Sequence, residues 1–169
     1  SESGFRAVSE NVTEGKRKIE RCTKNAFTVI GKEGSTKDGE GFIGRLWEEA
    51  NSRFGEIACL VKKDESGAMC GIWGAMSDFS RSFKPWKDFS EGLYLAGAEC
   101  KDGAEAPDGW VKWVIPAYEY LYVECESENT FSDMILYLKD NDIALAGAVH
   151  DFTCPRTGKA YMFFPIKRL

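Results

Sequence analysis

Tyr118, Tyr120 and Tyr122 stand at alternate positions in a stretch rich in tryptophan and tyrosine that runs from Gly92 to Cys125. In an extended chain the three phenols form one row, with Leu121 and Val123 behind them, because successive side chains alternate across a sheet. A half-buried strand carries charged or small residues where this one carries rings with a polar tip. Such rings suit a surface that a guest covers part of the time. The alternative is a row that caps the edge of a core, and periodicity alone leaves both open. Trp73, Trp110 and Trp113 lie on or beside other predicted strands, and with the three tyrosines they form the candidate ligand-binding set. For each of them the competing reading is a core or rim aromatic. A ring face attracts a cation by about 0.5 to 2 kcal/mol per contact. The guest these residues fit is therefore a hydrophobic aromatic or cationic small molecule.

The remaining composition narrows the classes. At 169 residues, 43% of them hydrophobic, the chain has the size of one domain or a compact pair of related modules. The formal net charge is −5, and Lys16-Arg17-Lys18 is the only basic cluster, which argues against nucleic acid as a partner. The six cysteines include no C-x-x-C pair, and His150 is the sole histidine, so neither a metal site nor a cofactor is expected. Reduced, mostly buried thiols point to a cytoplasmic protein. No apolar run reaches the roughly 20 residues of a membrane span, so no membrane partner is expected. The chain begins at Ser1 rather than methionine, which is compatible with a further upstream segment. The oligomeric state is not readable.

Taken in order, residues 1–19 read as a polar lead-in. Residues 26–31 read as a strand and 32–40 as a loop. Over 41–54 the set Phe42, Ile43, Leu46, Trp47, Ala50 and Phe54 recurs at helical spacing, with Arg45, Glu48, Glu49 and Arg53 outside. Strands are expected at 68–76, 93–100, 110–116 and 118–125, the last two parted by a proline bend. The loop 77–90 carries Phe79, Phe83, Trp86 and Phe89, as a lid or as an anchor on the core. A second amphipathic helix over 131–138, capped by Asn129 or Thr130, presents Phe131, Met134, Ile135 and Leu138 on one face. Strands at 143–149 and 160–166 close the chain.

The order strand–helix–strand–strand thus occurs twice. Residues 74–79 (GAMSDF) and 147–152 (GAVHDF) agree at four of six positions, which supports two copies of one module. Asp78 and Asp151, equivalent in that alignment, read as turn residues. The expected fold class is α+β: duplicated β-α-β-β modules whose antiparallel sheets join, with both helices on one face and a ligand cleft on the other. Module one covers about 20–100, a connection 101–116, and module two about 117–169.

This pattern resembles the GyrI-like small-molecule-binding domain, also found as the effector-binding half of AraC- and MerR-type regulators. The residues that carry the resemblance are Gly71-Ile72-Trp73-Gly74, Gly92 to Gly97, Gly109-Trp110, Trp113 to Ala117 and Phe164-Pro165-Ile166. The resemblance covers about 20–169 and implies two SHS2-type modules around a cleft for lipophilic compounds. No helix-turn-helix segment is read, so it does not extend to a DNA-binding regulator. Drug-binding regulators of the family place a glutamate on a module-two strand facing the cleft, where this chain reads Val149-His150-Asp151.

The tryptophan-rich stretch is similar to stand-alone members that hydrolyse the cyclopropane of DNA-alkylating natural products. Opening that ring needs only an acid at the conjugated carbonyl or a group that orients water, a contribution of about 10² to 10⁴ in rate. Glu99 and Glu119, with His150 as the one group that titrates near neutrality, are the catalytic candidates. For the carboxylates the competing reading is a solvated surface, and for His150 a structural hydrogen bond at a strand end. Three functions remain in view: binding of aromatic xenobiotics, hydrolysis of a cyclopropanoid, and inhibition by protein–protein contact.

Overall fold

The computed structural model describes residues 5–14 and 17–169, with side chains from Lys18 onward. Among the described residues nine strands form one antiparallel sheet: β1 (Phe5–Glu14), β2 (Arg17–Lys24), β3 (Phe27–Ser35), β4 (Ile72–Ser77), β5 (Leu93–Cys100), β6 (Val111–Ile115), β7 (Tyr118–Glu124), β8 (His150–Thr153) and β9 (Ala160–Arg168). Their spatial order is β1-β2-β7-β9-β8-β4-β5-β3-β6. Helices α1 (Phe42–Ser52) and α2 (Thr130–Asp140) complete the two units β3-α1-β4-β5 and β7-α2-β8-β9. The expected α+β duplication is the observed one. The units join where β4 pairs with β8, Trp73 opposite Phe152.

The strand before each unit belongs to the other unit's sheet. β2 runs into β3 through Asn25-Ala26, yet it pairs with β7, Lys24 opposite Tyr118. β6 runs into β7 through Pro116-Ala117, yet it pairs with β3, Ile115 opposite Phe27. Proline at the second crossing cannot donate to a ladder, so the chain leaves β6 there. These two crossings curl the sheet and bring Lys24, at the end of β2, against Glu99 of β5 across its inner face. Gly31 and Gly97, paired on adjacent strands, allow the bend: a Cβ on Gly97 would lie 2.2 Å from the Ile30 carbonyl oxygen.

Paired residues share a face, so the rows can be followed from strand to strand. Phe152, Trp73, Gly97, Gly31 and Val111 form one inner row. On the outer face α2 buries Met134 and Leu138 against Leu121, Val123 and Phe164. There α1 buries Ala50 beside Ile30, Ala98 and Trp110. Both helices keep the apolar faces read from their spacing. Each buried Leu, Ile, Phe or Met contributes about 1.5 to 3 kcal/mol.

Several boundaries differ from the sequence reading. Within the expected lead-in, Phe5–Glu14 and Arg17–Lys24 pair as a hairpin; Ser1–Gly4, Gly15, Lys16 and the Arg17 side chain lie outside the described residues. β3 extends through Ser35, into the expected loop. Residues 143–149 are not a strand. Ile143, Leu145 and Val149 pack irregularly against α2, while Ala146 N–H donates to the Pro165 carbonyl and Ala148 N–H to that of Phe83. Packing on a helix, not a ladder, produces their apolar pattern. Gly147 therefore precedes its strand while Gly74 lies within β4, so the two six-residue segments are not equivalent places. Asp78 does hold a turn, accepting from the backbone of Ser82 and Lys84, but Asp151 lies within β8.

Candidate functional site

The inner face of the curled sheet collects the rings. Tyr118, Tyr120 and Tyr122 lie in one buried cluster with Phe27, Trp73, Trp113, Phe152 and Phe163, while Leu121 and Val123 face α2. Trp73 is central, with ring centroids of Phe27 at 4.9 Å, Phe152 at 4.7 Å and Phe163 at 5.3 Å. Tyr120 packs edge-on to Phe163 at 5.4 Å and to Tyr118 at 5.8 Å. The tyrosine row is thus enclosed, with Tyr120 at 0% and Trp73 at 0% exposure, instead of lining an open groove. The curl of the sheet, invisible to strand periodicity, closes the rings onto one another.

Polar groups are set into these rings. Glu99, from β5, is buried; its Oε2 accepts from Lys24 Nζ at 3.2 Å and its Oε1 from Trp73 Nε1 at 3.3 Å. It is not the solvated carboxylate its type suggests. His150 is fully buried, and its Nδ1 accepts from the Met76 N–H at 3.0 Å. The proton of the neutral ring therefore resides on Nε2, and burial pushes its pKa down to about 3. Neither His150 Nε2 nor the Tyr120 hydroxyl has a hydrogen-bond partner among the described residues. Burial also raises the Tyr120 pKa well above the usual phenol value. His150 is thus a neutral donor and not a group that titrates near neutrality.

Two candidates belong elsewhere. Glu119 alternates with the tyrosines on β7, points to the opposite face and pairs with Arg21. Trp110 packs on the α1 side, under Lys32, and donates to Glu56. It precedes β6 and escapes the alternation that turns Trp113 inward. Lys24, which the sequence reading did not single out, lies at the centre, beside Glu99, Phe27 and Trp73.

The aromatic loop divides between the faces. Phe83 meets the Trp113 ring edge-on at 5.7 Å and closes one end of the inner face, while Phe89 packs on Phe131 of α2. Arg81 of that loop pairs with Glu33, which also accepts from Trp113 Nε1 at 2.8 Å. Cavities also lie on the outer face. One of about 200 Å³ lies beneath α1; another of about 210 Å³ lies between the loop and α2, with Asp151 in its wall. Burial raises the Asp151 carboxyl to about 6. None of the six cysteines is in a disulfide; Cys22, Cys70 and Cys100 are buried and Cys59 and Cys125 exposed. No described helix is long and apolar enough to cross a membrane.

Comparison with solved structures gives this architecture its class. SAV2435 bound to tetraphenylphosphonium is similar at 12% identity with a TM-score of 0.60, over 88% of this chain and 93% of that one. The EcmrR C-terminal domain is similar at 13% identity and a TM-score of 0.61, over 90% and 99%. The integron cassette protein VCH_CASS2 from the mobile metagenome of Vibrio cholerae is similar at 15% and 0.52, over 88% and 95%. The fold is that of GyrI-like and effector-binding domains, as the resemblance implied. No family model matches the sequence, and comparison with curated proteins finds no match.

Proposed function

We propose that this protein binds a lipophilic aromatic small molecule at the inner face of its sheet, between the two modules. One observation carries the reading: two buried polar groups without partners among the described residues, Tyr120 Oη and His150 Nε2, lie on the ring-rich inner face beside the paired Lys24 and Glu99. Nearly all buried polar groups in folded proteins are paired, so such a pair on one face asks for a ligand that accepts hydrogen bonds. Rings supply area and the two donors supply orientation, the usual division of labour in a small-molecule site. A fold shared with a protein that binds tetraphenylphosphonium supports the same reading. Entry would require displacement of Phe83, which closes one end of the cluster.

Titration of tryptophan fluorescence with a panel of polycyclic aromatic carbonyl compounds tests this. Tyr120→Phe should weaken the best binder about tenfold, the value of one buried hydrogen bond. Trp47→Phe, at the outer cavity, should leave it unchanged. Loss on Trp47→Phe with none on Tyr120→Phe would move the site to the outer face. Mass spectrometry of a cyclopropanoid alkylator incubated with catalytic protein separates binding from hydrolysis: many turnovers to a water adduct would establish an enzyme. Hydrolysis would have to draw on Glu99 and His150, since Glu119 faces away.

A further inference from the structure

The inner face already holds a cation, and the chain supplies it. Lys24 Nζ lies 4.3 Å from the Phe27 ring centroid and 5.8 Å from that of Trp73. It lies 3.2 Å from Glu99 Oε2, and both side chains are 1% exposed. Rings and a carboxylate around one ammonium are the elements with which proteins hold a lipophilic cation. Here the ammonium is tethered to the end of β2, delivered by the crossing at Asn25-Ala26. Lys62 Nζ stands 4.0 Å from the same carboxylate oxygen and is one-third exposed, so Glu99 offers a second positive charge nothing uncompensated.

We propose that Lys24 is a built-in occupant of the cation subsite. The inner face accordingly selects neutral aromatic ligands with a strong hydrogen-bond acceptor, carbonyl or phosphoryl, and rejects lipophilic cations. This rests on the inner-face reading above and sets its specificity. Beside the Lys24 ammonium, which Glu99 already holds, two donors on that face, the Nε2–H of His150 and the hydroxyl of Tyr120, have no acceptor among the described residues. A cationic ligand would have to enter beside a like charge in a buried region, where repulsion is weakly screened. Burial holds the Lys24 pKa below the ordinary lysine value, and Glu99 offsets part of that shift.

Two phenylphosphorus probes test this: cationic tetraphenylphosphonium, with four phenyl groups, and neutral triphenylphosphine oxide, with three and a P=O that is a strong acceptor. Calorimetric titration of the wild-type protein should show the oxide binding at least about tenfold tighter than the phosphonium. Lys24→Met keeps an unbranched side chain one atom shorter and removes the charge, and should move that ratio toward the phosphonium by about tenfold or more. Lys24→Arg should keep the wild-type preference, and it replaces Lys24→Met as the comparison if that variant fails to fold. Phosphonium binding to wild type as tightly as the oxide would overturn the occupancy proposal while leaving inner-face binding in place. An unmoved ratio in folded Lys24→Met would do the same. Binding of neither probe to either protein would overturn both.

Discussion

Two lysines in this molecule each lie over a tryptophan ring and beside a glutamate, on opposite faces of one sheet. Lys32 Nζ is 4.2 Å from the Trp110 centroid, donates to the Gly109 carbonyl at 2.7 Å and pairs with Glu49 at 3.2 Å. Lys24 stands over Phe27 and Trp73 and pairs with Glu99. The residue types match and the energetics do not. Glu49 is half exposed at 52%, so water and salt screen its pairing, and a backbone carbonyl takes part of the lysine's hydrogen bonding. Glu99 has no such outlet, and each of its partners must be kept. The rim pair is a fastening that can be dropped; the inner pair is a charge arrangement around which the rings are organised.

Glu99→Gln should separate the two most sharply. Leaving the Lys24 ammonium with a neutral partner in the interior should cost about 3 to 5 kcal/mol in urea unfolding. Replacing both partners with apolar residues, Lys24→Met with Glu99→Leu, should return close to wild-type stability, since a buried pair contributes little net. A double variant as unstable as Glu99→Gln would mean that the pair stabilises by itself.

Next in size is a pH effect at two adjacent residues that face opposite ways. His150 has a native pKa of about 3 against an ordinary 6.5. Between those values the unfolded chain holds a proton that the native one lacks. Its contribution is therefore full above 6.5 and lost on acidification, by up to about 1.4 kcal/mol per pH unit. Asp151 has a native value of about 6 against an ordinary 3.8. Its sign is opposite: the contribution is present below 3.8 and lost as pH rises through 6. The two slopes oppose each other between those limits in the wild type. Relative to wild type, Asp151→Asn should lose stability more steeply from pH 6 down to 4, and His150→Asn less steeply. Thermal unfolding across that range reads both; the same shift in both variants would break the assignment.

A smaller effect is expected at Tyr120. Tyr120→Phe removes a buried hydroxyl without a partner and should stabilise the fold by about 1 kcal/mol while weakening ligand binding. Loss of stability instead would show the hydroxyl to be paired in solution. Smallest of all is Glu49→Gln at the rim, which should change stability by less than about 1 kcal/mol. A cost near that of Glu99→Gln would erase the distinction between the faces.

Much of this was legible in residue order. Alternation put the three tyrosines on one face of β7, and helical spacing identified the buried sides of α1 and α2. The strand–helix–strand–strand duplication was readable as element order, though not from the six-residue match that first suggested it. Residues 143–149 misled because packing against α2 needs apolar side chains as a strand does. Glu99 and Glu119 look alike in sequence, each flanked by small or aromatic residues on a strand. Only pairing set one among the rings and the other beside Arg21 on the far side.

By itself the sequence determined what depends on neighbours along the chain: periodicity, helix faces and the aromatic row. The tertiary structure decided what depends on how distant strands meet. The crossings at Asn25-Ala26 and Pro116-Ala117 curl the sheet, carry Lys24 to a carboxylate in β5, and close the rings over both. A charge pair between residues so far apart in the chain leaves no local pattern, because a strand end offers the same lysine whether it points to water or into a ring of tryptophan and phenylalanine.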